Sequence, residues 1–149
     1  MKLILESWRK FLAEEDVKYS GILKMGLPPE ALSQVQAVQT MLPEEAIDLS
    51  EKDLHITLIH QDILKPFAEI IKNIDLPEPP PVVIEDAVWE RESMGKKSWA
   101  LRLENQEDYK DYVKQVMELL GSPNTSPEPE RVFHISVANL TGNPYDSVR

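Results

Sequence analysis

Two stretches of this chain alternate apolar and polar residues in the same order. Residues 54–60 read LHITLIH, and residues 133–139 read FHISVAN. Both contain the pattern apolar-His-apolar-(Thr/Ser)-apolar, which has the two-residue period of a half-buried β-strand. The pattern therefore predicts two similar strands that lie in opposite halves of the chain.

Each predicted strand places an imidazole and a hydroxyl on one face, because residues two apart in a strand project to the same side. His55 would project with Thr57, and His134 would project with Ser136. Imidazole exchanges protons near neutral pH, so one histidine can act as a base and the other as an acid. The hydroxyls can donate hydrogen bonds to phosphoryl oxygens as charge develops. If the strands lie side by side, the four groups form a site for displacement at phosphorus that uses neither a metal nor another cofactor.

The rest of the pattern predicts an α+β fold. Apolar residues at helical spacing indicate helices, and short alternating or continuous apolar runs indicate strands. The strands expected besides the two motif strands cover residues 19–25 and a hairpin of 82–90 and 98–103 that turns at 93–97. The expected helices run from Pro28 or Pro29 to Leu42, from residues 65–67 to Ile74, and through Tyr109 to Leu120, with a polar loop at 44–52.

Changes in the residue pattern divide the chain into an N-terminal segment and one two-lobed domain. Residues 1–16 carry apolar side chains at helical spacing, so we expect an amphipathic helix appended to the domain. Residues 17–149 then form the domain, which is a reasonable length for a single core. The proline-rich residues 76–81 cannot continue a helix, and we interpret them as the connection between two lobes.

The two motifs resemble those of the 2H phosphoesterase superfamily, which includes 2′-5′ RNA ligase-like proteins and cyclic nucleotide phosphodiesterases. Its members carry two His-x-(Thr/Ser) motifs, one in each half of a duplicated α+β fold. The resemblance covers the order of elements from about Tyr19 to Leu140 and is specific at the two motifs. It implies two lobes with antiparallel sheets, helices packed outside and a central cleft. Ser136 stands where threonine is commoner in the family, and it retains the hydroxyl.

The resemblance also implies an activity and a set of contacts. His55 and His134 would be the acid and the base of a phosphodiesterase, in an order that the motifs leave open, and Thr57 and Ser136 would hold the non-bridging oxygens. The substrate would be a cyclic phosphate or a 2′-5′-linked or cyclic oligonucleotide. The family surrounds such substrates with aromatic and basic side chains, for which the candidates here are Tyr19, Lys24, Arg102 and Tyr145.

Charge and composition narrow the choice of partner. The chain has 149 residues, a net charge of −10 and no cysteine. An acidic protein does not suit binding along an extended nucleic-acid backbone, so we expect a small nucleotide or an RNA end as the ligand. No apolar run approaches membrane-spanning length and the N-terminal apolar run is too short for a secretory signal, so we expect a cytoplasmic protein without membrane contact.

Two further readings of the sequence remain open. In the first, the same cleft holds a nucleotide or an RNA end without turnover, as a binding module. In the second, the N-terminal helix is the functional part of an interaction protein. A metal site is a weaker interpretation, because His60 lies five residues after His55 and strand alternation places it on the other face.

Overall fold

The computed structural model describes residues 17–148 and confirms the α+β class, with antiparallel strand pairing and few helices. The helix expected over residues 1–16 lies outside the described residues. The described strands are β1 Val17–Tyr19, β2 Leu23–Met25, β3 Ile47–Asp48, β4 Ile56–Ile59, β5 Ile84–Ser93, β6 Lys96–Leu103 and β7 His134–Asn139. The α-helices in this part are α1 Pro29–Gln39, α2 Gln61–Leu64, α3 Ala68–Ile71 and α4 Gln106–Leu119, with 3-10 turns at Glu51–Asp53, Lys65–Phe67 and Pro144–Asp146.

The described residues form two compact units, and the chain passes between them repeatedly. The first unit contains the described residues up to Met25, together with Thr57–Pro81 and Asn105–Arg131. The second unit contains Gly26–Ile56, Val82–Glu104 and the residues from Val132 onwards. One passage, from Pro81 to Val82, follows the proline-rich residues that the sequence analysis singled out. Each unit is therefore assembled from segments that are distant in sequence.

The first unit begins with a short hairpin where the sequence predicted one strand. β1 and β2 pair antiparallel, with Val17 opposite Met25 and Tyr19 opposite Leu23. The prediction of a continuous strand over residues 19–25 was wrong because the chain reverses at Gly21, whose φ of +88° suits a residue without a Cβ. Leu23 is fully buried, so the hairpin directs one of its faces into the core.

The second predicted helix is broken into short pieces. α2 is followed by the 3-10 turn Lys65–Phe67 and by α3, which ends at Ile71 rather than at Ile74. Pro66 accounts for the interruption, because proline has no backbone N–H to donate to the preceding turn, and helical geometry is lost at the next residue, Phe67. The expected apolar face is also incomplete, since Ile71 is buried whereas Ile70 is exposed.

The third predicted helix is confirmed as α4, and it fixes the proline-rich residues. Its C-terminus has paired hydrogen bonds from Gly121 N to Glu118 O and from Ser122 N to Met117 O, each 3.0 Å long, as in a Schellman cap. Two buried tyrosines of α4 point to the proline-rich residues. Their hydroxyls donate to carbonyl oxygens, Tyr109 to Pro81 at 3.0 Å and Tyr112 to Pro77 at 2.9 Å.

The second unit is organised around β7, which pairs antiparallel with β6 and β3. β6 in turn pairs with β5. β4 begins at Ile56, the last residue of this unit, and Ile56 pairs with Ile135 of β7. Ile56, Ile135 and Leu101 are fully buried, so one face of this sheet belongs to the core. Trp99 of β6 is also buried.

The β5–β6 hairpin is longer and its turn tighter than predicted. The last pair is Ser93 with Lys96, so the turn consists of Met94 and Gly95 and not of residues 93–97. Met94 has φ of 51° and Gly95 has φ of 79°, as a two-residue type I′ turn requires. The shorter turn leaves Arg91 within the strand, at a defined position opposite Ser98.

Two other expectations for the second unit need correction. α1 ends at Gln39 rather than Leu42, and the Gln39 side-chain amide donates to Leu49 O at 3.1 Å and Val137 O at 2.9 Å. The predicted loop at 44–52 contains β3, in which Ile47 pairs with Asn139 and Asp48 with Ala138. A two-residue strand is too short to show a period in the sequence. β3 forms because β7 supplies its pairing partners.

Candidate active site

The two motifs have the alternation that the sequence predicted. His55 is half-buried between the buried residues Leu54 and Ile56, and His134 is half-buried between Phe133 and Ile135. Thr57 and Ser136 are also half-buried, as residues on the same faces as the histidines should be. The pattern is thus confirmed, although β4 begins one residue after His55 rather than before it.

Main-chain carbonyls hold both histidine rings in the same way. Nδ1 of His55 lies 2.8 Å from the carbonyl oxygen of Asp53, and Nδ1 of His134 lies 3.0 Å from that of Val132. A carbonyl oxygen only accepts hydrogen bonds, so Nδ1 carries the proton in both neutral rings. The local chain thereby fixes one tautomer twice, and in both rings Nε2 is the nitrogen that can take up or release a proton at the site.

The strand register brings the two motifs together. Ile56 and Ile135 are paired in an antiparallel ladder. The same register places His55, one residue before Ile56, across from Ser136, one residue after Ile135. Paired residues share a face of the sheet, and a diagonal neighbour such as His134 lies roughly 7 Å from His55 between Cβ atoms. Three of the four predicted catalytic residues therefore lie on one face of the second unit.

Thr57 is the remaining predicted catalytic residue. It lies two residues after His55 on β4 and is the first residue of the segment Thr57–Pro81 in the first unit. Its main-chain carbonyl accepts a hydrogen bond from the guanidinium of Arg131. The contact involves the main-chain carbonyl of Thr57 and not its hydroxyl, so it fixes the backbone from which the hydroxyl projects.

Arg131 is a residue of the site region that the sequence analysis missed. Its side chain is only 11% exposed, and Nη1 donates to Leu58 O at 2.7 Å while Nη2 donates to Thr57 O. Nη1 also lies 3.5 Å from a carboxylate oxygen of Glu128. Burial lowers the pKa of Arg131 from its usual value, and the nearby Glu128 acts in the opposite direction. The acceptors of its two hydrogen bonds to β4 are main-chain carbonyls, so no pattern of side chains along the chain predicted this contact.

His134 has a cationic and aromatic neighbourhood on the β5–β6 hairpin. Arg102 is its register partner on β6. The ring of Trp89 meets the His134 ring edge to face, with centroids 5.5 Å apart and planes at 85°. The guanidinium carbons of Arg91 and Arg102 lie 4.4 and 5.5 Å from the Trp89 ring centroid. We call His134, Arg102, Trp89 and Arg91 the His134 cluster.

The structure thus places one predicted binding residue, Arg102, beside a predicted catalytic residue, His134, and it brings Trp89 and Arg91, which were not predicted, to the same place. Arg102 was predicted, and Nε of its guanidinium also donates to Glu85 at 3.1 Å. Trp89 and Arg91 alternate with exposed residues along β5, which is the signal that identifies a shared face. The predicted strand ended at residue 90, so Arg91 lay outside it and its shared face with Trp89 was not predicted.

The other predicted binding residues are not grouped in this way. In the β1–β2 hairpin, Tyr19 pairs with Leu23, so these two side chains share a face. Lys24, which pairs with Lys18, directly follows Leu23 and therefore lies on the opposite face from Tyr19. Both belong to the first unit. Tyr145 is 78% exposed in the 3-10 turn Pro144–Asp146, where its backbone N–H donates to the Asn143 side chain at 3.0 Å. Their roles in substrate binding stay predictions.

His60 is separate from the histidine pair. It lies after the last residue of β4 with its Nδ1 3.1 Å from both carboxylate oxygens of Glu128. Its side chain is exposed. Among residues 17–148, no group of three or more histidine, aspartate or glutamate side chains is arranged to hold a metal ion.

Comparison with models of protein families, with curated proteins and with solved structures returned no match for this chain. In the part of the chain that the structure describes, no helix combines the length and the apolar character that crossing a bilayer would need.

Proposed function

We propose that this protein is a metal-independent phosphodiesterase of the 2H type, which hydrolyses a cyclic phosphate or a 2′-5′-linked or cyclic oligonucleotide. One observation supports this proposal most directly. The two motif histidines have the same tautomer, held by the same kind of main-chain contact, on one face of the second unit. If His55 and His134 were unrelated structural histidines, there would be no reason for both rings to be held in the same way.

The reaction proceeds by general acid–base catalysis. The neutral imidazole of one histidine accepts a proton at Nε2 from an attacking water molecule, whose oxygen forms the new bond to phosphorus. The imidazolium of the other histidine donates its Nε2 proton to the leaving oxygen as that P–O bond breaks. For a 2′,3′-cyclic phosphate the bond to O3′ breaks, and the product is a 2′-phosphate. The donated and accepted protons balance, so each turnover leaves the protonation states exchanged and solvent restores them.

The hydroxyls bind the phosphoryl oxygens in this mechanism. Ser136 faces His55 across the strand pair, and Thr57 follows His55 on the same strand. Each hydroxyl donates to a non-bridging oxygen, whose negative charge grows in the transition state. A duplicated two-lobed fold is the architecture that this proposal implies, and the matched environments of the two histidines support it.

The test is hydrolysis in the presence of EDTA, with a panel of 2′,3′-cyclic mononucleotides, a 2′-5′ oligoadenylate and a 3′-5′ cyclic dinucleotide. His55→Ala and His134→Ala are compared with wild type, and His60→Ala is the matched control because His60 is exposed and apart from the pair. We expect general acid and base each to contribute on the order of 10²- to 10⁴-fold, so either motif substitution should leave little turnover.

Two results would contradict the proposal. The first is an absence of turnover by wild type on the whole panel. The second is turnover that survives both motif substitutions or that is lost equally in His60→Ala. Circular dichroism and thermal unfolding of each variant separate a loss of chemistry from a loss of fold. Measurable binding of the same compounds without turnover would instead identify a nucleotide-binding module.

A further inference from the structure

The His134 cluster has a charge that contrasts with the rest of the protein. The chain has a net charge of −10, yet two guanidinium groups converge on the Trp89 ring beside His134. All members of the cluster are half-buried and belong to the second unit. A local concentration of positive charge on an acidic protein favours binding of an anionic group at that place.

The ring of Trp89 orders both guanidinium groups. A guanidinium over an aromatic face is held by the ring quadrupole and by stacking, and its N–H groups remain directed outward from its edges. Arg91 is additionally fixed by a hydrogen bond of 3.2 Å from Nη1 to the carbonyl oxygen of Val148. The cluster therefore presents donors whose orientation is largely set before a ligand arrives.

Strand order places these donors beside the proposed reaction centre. Across the sheet of the second unit, His55 precedes β4, His134 and Ser136 lie on β7, Arg102 lies on β6, and Trp89 with Arg91 lies on β5. Neighbouring strands are roughly 4.8 Å apart, so Arg102, the register partner of His134, is one strand away. Arg91 is two strands away and further along the sheet, opposite Ser98, but its guanidinium lies over the Trp89 ring that contacts His134. The two arginines therefore extend the site on the side of His134 that faces away from His55.

We propose that Arg91 and Arg102 bind a second phosphate of the substrate, next to the phosphodiester that the histidines cleave. This inference rests on the proposed function and specifies its substrate class. The substrate is an oligonucleotide or a 5′-phosphorylated cyclic nucleotide, rather than a cyclic mononucleotide with a free 5′ hydroxyl. Arginine suits this role because its planar donors match phosphate oxygens in pairs.

Two features of the cluster bear on this assignment. The Arg102 guanidinium pairs with Glu85, but both side chains are more than a third exposed, and an ion pair of this kind is weak enough for a phosphate to compete with it. A nucleobase stacked on Trp89 is the less favourable occupant, because the guanidinium groups already lie over that ring. The donors that remain accessible are therefore suited to phosphate rather than to a base.

The experiment compares two substrates that differ by a single phosphate, adenosine 2′,3′-cyclic phosphate with a 5′ hydroxyl and the same compound with a 5′-phosphate. The readout is the ratio of their kcat/KM values. For wild type we expect a preference of roughly tenfold or more for the phosphorylated compound, expressed mainly in KM, as for other charge-assisted contacts. Arg91→Gln and Arg102→Gln should each bring the ratio towards one.

Lys110→Gln is the control for a loss of one positive charge, because Lys110 is on α4 in the first unit and pairs only with its helix neighbour Glu107 among the contacts of the described residues. It should keep the wild-type ratio. Equal kcat/KM values for the two compounds in wild type would overturn the second-phosphate site while leaving the phosphodiesterase intact. The same holds if the arginine variants lower both values without changing the ratio.

If wild type cleaves neither compound, the proposed function fails on this pair, and the site is judged by equilibrium binding. Tighter binding of the 5′-phosphorylated compound that is lost in Arg102→Gln and kept in Lys110→Gln would support the site. Binding that does not distinguish the two compounds would overturn it.

Discussion

His55 and His134 are held alike, although 78 residues separate them in the chain: each ring directs Nδ1 at the main-chain carbonyl of the residue two positions earlier, at 2.8 and 3.0 Å. The accepting carbonyl lies within two residues of each histidine, so each motif carries its own means of orienting the imidazole. The strand register then determines how the two rings meet. Orientation and juxtaposition thus have different physical origins in this protein.

The Ser136 hydroxyl offers the first prediction. Ser136→Ala removes a proposed donor to the phosphoryl oxygen without adding volume at this half-buried position. We expect kcat to fall by about 10²-fold, as for the loss of one donor that stabilises developing charge, with little change in KM. Ser136→Thr keeps the hydroxyl and should retain most of the activity. Steady-state kinetics on the best substrate of the panel checks both, and equal activity in Ser136→Ala and wild type would remove Ser136 from the mechanism.

The sequence predicted this part of the site because it depends on a local rule. Alternation along a strand places His134 with Ser136 wherever the strand lies, so two residues suffice to infer a shared face. The same rule failed at residues 19–25, where a glycine with positive φ reverses the chain within the predicted strand. Periodicity over a few residues does not reveal such a reversal when both halves are apolar.

The rest of the site depends on distant partners. Trp89 and Arg91 join His134 through the register of the β5–β6 hairpin, which the two-residue turn at Met94 and Gly95 determines. Arg131 reaches carbonyl oxygens that lie 73 and 74 residues away in sequence. Every residue has such a carbonyl, so the sequence contains no mark of which one a buried arginine will bind.

Arg131 offers the second prediction, on stability and activity together. Arg131→Met retains an apolar stem but leaves the carbonyls of Thr57 and Leu58 without the guanidinium donors. We expect the free energy of unfolding to fall by about 2–4 kcal/mol, because two main-chain acceptors in a part-buried place lose charge-assisted bonds. Denaturant titration measures this change.

The same contact should affect catalysis through Thr57. Thr57→Val lowers kcat in the proposed mechanism, and Arg131→Lys should lower it too if the backbone of Thr57 is displaced. A double-mutant cycle tests the connection, because coupled residues give effects that are not additive. Strictly additive losses in kcat would show that Arg131 supports the fold and does not position Thr57.

Tyr112 offers a prediction about pH. Burial raises the pKa of the Tyr112 phenol to about 12, and its hydroxyl donates to Pro77 O at 2.9 Å. A phenol pKa that is higher in the folded than in the unfolded state, where it is about 10, means that ionisation favours unfolding. The contribution of Tyr112 to stability is therefore complete below pH 10 and is lost as the pH rises towards 12.

The comparison of wild type with Tyr112→Phe isolates this effect. At pH 7 the variant should be less stable by about 1 kcal/mol, because the Pro77 carbonyl loses its hydrogen bond. Above pH 10 the stability of wild type should fall more steeply, by up to about 2–3 kcal/mol relative to the variant, which corresponds to a shift of two pKa units. Urea unfolding at a series of pH values measures both curves, and parallel curves would mean that Tyr112 does not titrate in this range.

Trp89 offers the last prediction, because its ring contacts His134 and lies beneath both guanidinium groups of the cluster. Trp89→Leu keeps an apolar side chain on β5 but removes the aromatic edge contact and the cation–π interactions, which are worth about 0.5–1.5 and about 0.5–2 kcal/mol in typical cases. We therefore expect kcat/KM to fall by roughly 10-fold or more on a substrate with two phosphates. Trp89→Phe preserves a ring at the same position and should recover part of the loss. The ring, and not merely apolar volume, is the required feature if phenylalanine restores activity that leucine does not. Equal activity of the two variants would assign Trp89 to packing of the hairpin alone.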